Sequence, residues 1–237
     1  MVQEFTFPAL EARQKKKMLK SALTVLEMTQ AMSAGKGKNI LHYTLQRKRR
    51  HKAMEHYPGG DRIEYSTGAQ YFYHCHREDR ETGEHGHFHS FMRYKKIPRR
   101  IRPAALPDWD KNLDNPMAHI VAIAMDCYGK PIRLFTVNRW VTDETWYDAE
   151  HVTEFIRKYK FRQDKEEESY WWKLDKWVES MHQLFAPQII WLHQERDHRV
   201  AAWQKKYPSR NPYEDRELEE ITSIPIDIVD QVNWLMR

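Results

Sequence analysis

Residues 69–94 read AQYFYHCHREDRETGEHGHFHSFMRY, from Ala69 to Tyr94. Tyr71, Tyr73 and Cys75 alternate with Phe72, His74 and His76, and Phe88, Met92 and Tyr94 carry the same period beyond a polar gap. A period of two belongs to a strand with one buried face. The pattern extends back through Ile63, Tyr65 and Ala69, so the segment from Arg62 to Lys95 is expected to form two antiparallel strands joined by the polar connection Arg77 to Glu84, which contains Thr82-Gly83.

Five of the thirteen histidines fall in this stretch: His74, His76, His85, His87 and His89. Residues two apart in a strand share a face, so His74 joins His76 on the first strand and His85, His87 and His89 line up on the second. A two-residue turn on Glu81-Thr82 sets His76 opposite His87 and His74 opposite His89; one on Thr82-Gly83 sets His76 opposite His89. Either way the pairing sum is odd and the histidines face one another. Ile63, Tyr65, Ala69, Tyr71, Tyr73, Cys75, Phe88, Met92 and Tyr94 then make the core face, and the histidine face is read as the exposed one. Glu64, Gln70 and Arg93 share that polar side and are expected to support the histidines by hydrogen bonding, as is His119 on a third strand; Glu84 and His119 are also possible further ligands. Imidazole suits Zn, Fe and Cu, and convergent nitrogens make a metal site. The alternatives are catalysis by histidine without metal and a hydrogen-bonded polar face paired with Glu78, Asp79 and Glu81.

Working outward, a Pro- and Arg-rich connection, Pro98 to Pro103, leads to a second expected hairpin, Met117–Asp126 and Ile132–Arg139, turning at Tyr128-Gly129-Lys130. On the N-terminal side, Leu19, Ala22, Leu23 and Leu26 mark an amphipathic helix that stops near Gly35-Lys36-Gly37. A second helix is expected from Asn39 to His56, ended by Pro58-Gly59-Gly60-Asp61. On the C-terminal side the expectations are a helix from Asp143 to Tyr159, capped by Thr142 or Asp143, and another along the stripe Trp171, Leu174, Val178, Met181, Phe185. Pro187 breaks that one, and further helices reach Tyr207 and Leu235. His193, Asp197 and His198 read as a surface polar face. The fold class is therefore α+β: a four-stranded antiparallel sheet with an N-terminal helical hairpin and C-terminal helices. It is read as one domain over residues 1–237, with a basic hairpin in 1–60, the sheet in 61–142 and the helical part in 143–237.

With 237 residues, 41% hydrophobic and 13% aromatic, the chain has ample material for a core and does not read as disordered. Its longest apolar run, Ile120 to Met125, is far shorter than the roughly 20 residues a spanning helix needs, so no membrane association is expected. Cys75 and Cys127, both assigned to strands, and an N-terminus without a secretory pattern point to a cytoplasmic protein without disulfides. The net charge of +5 is uneven: residues 1–60 carry 12 Lys/Arg against 4 Asp/Glu, and residues 161–237 carry 11 against 15. The densest basic run, Arg47, Lys48, Arg49, Arg50 and Lys52, is either a solvated helix face or a contact for nucleic-acid phosphates.

Two short motifs carry resemblances. His87-Phe88-His89 resembles the His-hydrophobic-His motif of the HUH endonucleases, in which two histidines on a strand bind a divalent metal and a helical tyrosine attacks DNA. The resemblance implies His76 as a third ligand and Tyr170, in Tyr170-Trp171-Trp172-Lys173, as the nucleophile. His85-Gly86-His87-Phe88-His89-Ser90-Phe91 is similar to the histidine-triad nucleotide hydrolases and transferases, which would make His87 the nucleophile, although Gly86 and Ser90 stand where that family has hydrophobic residues. The leading expectation is a metal-dependent protein, in particular a hydrolase or oxygenase, with Zn, Fe or Cu on the histidine face, its substrate and catalytic residues unassigned. The alternatives are a nucleic-acid-binding protein or HUH-like single-strand nuclease, and a non-catalytic metal sensor or carrier.

Overall fold

The computed structural model describes residues 4–35, 38–46, 52–75, 83–110, 116–162 and 170–237. Its centre is an antiparallel sheet of six strands, β1 (Tyr57–Ile63), β2 (Ala69–Cys75), β3 (Glu84–Arg93), β4 (Met117–Asp126), β5 (Pro131–Val137) and β6 (Glu220–Pro225), in the order β1-β2-β3-β4-β5-β6. The helices are α1 (Ala12–Met32), α2 (Ile40–Thr44), α3 (Arg139–Thr142), α4 (Ala149–Lys158), α5 (Trp172–Leu184), α6 (Ala186–Lys206) and α7 (Ile228–Met236). The α+β class with helices at both ends stands, and the expected count of four strands is corrected to six.

Both added strands lie at the sheet's edges and have physical reasons for being hard to read. Pro58-Gly59-Gly60-Asp61 does not end a helix: Tyr57 pairs with Tyr73 and Arg62 with Tyr71, so the glycine-rich residues between them bulge out within β1. Gly60 and Asp61 both take positive φ there. The strand expected to run unbroken through Tyr65 is instead a tight β1–β2 hairpin whose turn exposes Tyr65 and places Gly68 at φ +86°. β6 is a short edge strand whose buried Ile221 and Thr222 are too few for a visible period.

The N-terminal helical hairpin is also corrected. α2 ends at Thr44 and Gln46 takes φ +55°, while the segment before β1 runs beside β2, with Met54 N–H donating to the Cys75 carbonyl. α1 packs mainly on α5, and its buried face is Met18, Ser21, Ala22, Val25 and Met32. Leu23 and Leu26, expected on the apolar stripe, are about half exposed at 56% and 50%. The C-terminal stripe holds: Leu174, Val178, Met181 and Phe185 are buried, and Pro187 sits in the first turn of α6. α4 begins six residues later than expected because Asn138, not Thr142 or Asp143, caps a separate short α3, and Asp143 terminates it in the left-handed region. Cys127 is exposed in the β4–β5 turn rather than in a strand.

One sheet face carries the main core, where Tyr71, Tyr73, Phe88, Ile123 and Leu134 meet α1, α5 and α6 through residues such as Trp177, Met181 and Leu192. The opposite face is the histidine face. It is not solvated: Phe91 is fully buried and Phe72, His74, His87 and His89 are no more than 7% exposed. Ala122, Ala124, Phe135 and Val137 form a second small apolar cluster beside them. Among the described residues no helix is long and apolar enough to cross a membrane.

Candidate metal centre

His74 on β2 and His87 on β3 are directly opposed in the ladder, which is the odd-sum parity expected from the sequence in a different register; the connecting residues lie outside those described. Their Nε2 atoms are 2.7 Å apart, and His87 Nε2 is 3.0 Å from His89 Nε2. His74, His87 and His89 each offer one ligand nitrogen, all within 4.8 Å of one another, and this triad could hold a metal ion. Nitrogens bound tetrahedrally at about 2.0–2.1 Å from a zinc would sit roughly 3.3 Å apart, a few tenths of an ångström wider than the two separations observed, so the rings would move apart slightly to admit an ion.

The neighbouring strand makes room for three rings. Ala122 and Ala124 of β4 lie directly across from His89 and His87, where a larger side chain would occupy the space of an imidazole. Gly86 has its own steric requirement, since a Cβ there would stand 2.3 Å from the His74 carbonyl oxygen and 2.7 Å from Cys75 Cα. Of the two residues that depart from the nucleotide-hydrolase motif, Gly86 is therefore explained by the closeness of β2.

Two irregularities in the β3–β4 ladder bring further residues to the site. The shift between Glu84 and Gly86 inserts His85 as an extra residue, so Glu84 joins the histidine face and His85 leaves it. Glu84 Oε1 accepts from His87 Nδ1 at 2.7 Å, while His85 Nδ1 sits 2.7 Å from the hydroxyl of Tyr73, a core-face residue. His85, expected among the ligands, is thus turned away from them. The second shift, between Ser90 and Phe91, adds Ile120 to β4 and places His119 on the histidine face, its Nε2 3.0 Å from His89 Nδ1.

These partners orient the rings. Arg133 of β5 donates from Nη2 to Glu84 Oε2 at 2.7 Å and also bonds Glu220. Burial acts to raise the Glu84 pKa, but the hydrogen bonds from His87 and Arg133 outweigh it and leave the carboxyl below its ordinary range. An ionised Glu84 takes the Nδ1 proton of His87 as its hydrogen bond, so the lone pair of the neutral ring lies on Nε2, facing the other two histidines. Burial, then the nearby His87 and His119, hold His89 well below the usual histidine range. Burial and the Arg196 charge lower His119 to about 3. Both rings are neutral near pH 7, the state in which imidazole binds metal. Behind His119, Glu144 Oε2 accepts its backbone N–H at 2.7 Å, and burial raises the Glu144 pKa to about 7.

The remaining sequence expectations divide. Gln70 and Arg93 share the histidine face but bond each other, and Gln70 reaches Asp61, with Phe72 and Phe91 between them and the imidazoles. Glu64 instead stabilises the β1–β2 turn by accepting the Ser66 N–H. His76, with Glu78, Asp79 and Glu81, lies outside the described residues, as do Arg47, Lys48, Arg49 and Arg50; Lys52 is described, and its backbone N–H donates to Tyr57 Oη. Tyr170 opens the α5 region on the opposite side of the sheet, stacked on Tyr43 with its hydroxyl donating to the Tyr43 carbonyl, so the Tyr-x-x-Lys pattern does not meet the histidines. His193 is buried, not on a surface face, with Nε2 2.5 Å from the Ile120 carbonyl.

Three residues escaped the sequence reading: Arg133, Glu144 and His56. His56 stacks on Phe72 at a centroid distance of 3.6 Å and bonds Asp61, placing its ring 6.1 Å from that of His74. The only local signal was for Arg133, which shares a β5 face with Phe135; the others reach the site from outside the central strands.

Residues 19–226 match the family described as a domain of unknown function, DUF6969. No curated protein and no solved structure matches the chain. The match spans most of the sequence, and the chain belongs to this family.

Proposed function

We propose that this member of the DUF6969 family is a metal-dependent protein, with Zn, Fe or Cu held by Nε2 of His74, His87 and His89. The observation that carries the reading is the convergence of three buried Nε2 atoms, with the far nitrogen of His87 held by a carboxylate and that of His89 by another histidine. A carboxylate or second imidazole behind a ligand ring fixes its tautomer and raises its basicity. Three protein nitrogens leave a coordination position for water or oxygen, the arrangement used in metal-assisted hydrolysis and oxygen activation, and we assign the protein to one of those two reaction classes.

Metal analysis of protein purified without a histidine tag tests this. About one transition-metal ion per chain is expected, and apo protein reconstituted with Zn, Fe(II) or Cu should recover it with a raised thermal midpoint. No metal in the purified protein and no uptake on reconstitution would remove the proposal. Stoichiometric metal without turnover of hydrolysable esters, phosphoesters or oxygen would leave a sensor or carrier and remove the enzymatic part.

A further inference from the structure

The Pro- and Arg-rich connection after β3 lies outside the metal centre. Two adjoining cavities, of about 470 and 350 Å³, open around it, each within the size range of small-ligand sites. Tyr94 and Arg102 line both. Trp109 adds a second ring to the larger one, its centroid 6.3 Å from that of Tyr94, and Lys95 and Arg99 add two cations to the smaller.

Among the described residues Lys95, Arg99 and Arg102 make no ion pair, whereas Glu154 is engaged by Arg100 and Asp108 by Arg139. The smaller cavity also holds an independent sign of a missing ligand. Tyr147 lines it with only 2% of its surface exposed, and its buried hydroxyl has no hydrogen-bond partner among the described residues. A buried hydroxyl without a partner costs about 1–3 kcal/mol, which a bound acceptor would offset. The cleft starts at Tyr94, five residues past His89, or about 16 Å along the strand, so it is separate from the histidine triad.

From this combination we infer that the cleft between Tyr94, Arg102 and Tyr147 binds a nucleoside monophosphate, its base against Tyr94 and Trp109 and its phosphate at Arg99 and Arg102. Aromatic faces accept a planar heterocycle, guanidinium groups pair with phosphate in bidentate fashion, and the Tyr147 hydroxyl supplies a neutral donor. A bare anion would leave the aromatic cavity unused, and a bare base would leave the cations unused.

Calorimetric titration with AMP, adenosine and inorganic phosphate tests the inference on the full chain. AMP should bind at least about tenfold more tightly than either fragment. The Arg99→Ala/Arg102→Ala variant, altered only at exposed side chains, should lose about tenfold or more in AMP affinity with an unchanged thermal midpoint. Tyr147→Phe should weaken AMP several-fold without lowering stability, because its hydroxyl has no hydrogen-bond partner among the described residues. No AMP binding at millimolar concentration, equal affinity for AMP and either fragment, or an Arg99→Ala/Arg102→Ala variant that binds normally would each overturn it. A ten-nucleotide oligothymidylate binding far more tightly than AMP, with a steep salt dependence, would replace the small ligand by single-stranded nucleic acid.

Discussion

His182 and His193, on the helices over the core face, each direct one ring nitrogen at a main-chain carbonyl, Val178 for His182 and Ile120 for His193. His74, His87 and His89, on the opposite face, direct their Nε2 atoms at one another. A carbonyl can only accept, so each core histidine must present an N–H to it, and the ring serves as packing with a fixed donor. Three mutually facing nitrogens have no such unique assignment: they share protons or surround a cation. Both sets are buried, so the direction of the nitrogens, not depth, separates a structural histidine from a candidate ligand.

The largest expected effect attacks that contrast directly. His87→Ala/His89→Ala should reduce bound metal from about one ion per chain to below about a tenth, whereas His182→Gln should keep its metal; loss of metal in both would show that the two sets are not functionally distinct. Elemental analysis after gel filtration reads the outcome.

A second break uses neighbouring residues on opposite faces. Cys75, 1% exposed in the core, lies next to His74. Cys75→Asp should destabilise metal-free protein by about 3 kcal/mol or more, the cost of a buried polar group without a partner, and a denaturant titration showing a smaller loss than in His74→Ala would invert the faces.

A third prediction concerns one buried ring on each side of the sheet. Burial holds His182 at about 4 and His119 at about 3, against 6.5 for the free side chain. Since the folded state resists protonation while the unfolded chain takes up protons below about pH 6.5, stability is full above that pH and falls as the pH drops toward 4. For His182 the loss is on the order of 3 kcal/mol by pH 4. Chemical denaturation of metal-free protein between pH 7 and 4.5 measures it, and a flat profile would mean that the buried rings are charged in the folded state.

The smallest effect sharpens the comparison at a single proton. Glu84→Gln keeps the shape of the side chain but removes the charge that orients His87 and pairs with Arg133, so metal affinity should fall about 10- to 100-fold while the metal-free protein loses the stability of the Arg133 pair. Competition with a chelator gives the ratio, and an unchanged affinity would assign Glu84 to the Arg133 ion pair alone.

The alternation in residues 69–94 determined the β2–β3 hairpin and its opposed faces, because side-chain direction in a strand follows from covalent geometry and needs no distant partner. The same locality made the α5 stripe and the Pro187 break legible. The bulge at His85 was not: it exchanges His85 for Glu84 through pairing with β4, some forty residues away in the chain. His119 likewise joins the site only because Ile120 is accommodated as an extra residue opposite β3. The burial of the histidine face and the approach of His56 arise from contacts between segments that carry no pattern of their own. Sequence period decides which residues point together within one strand; strand pairing, with its irregularities, decides which of them meet across the sheet, because the ladder's register is set by the whole set of cross-strand contacts.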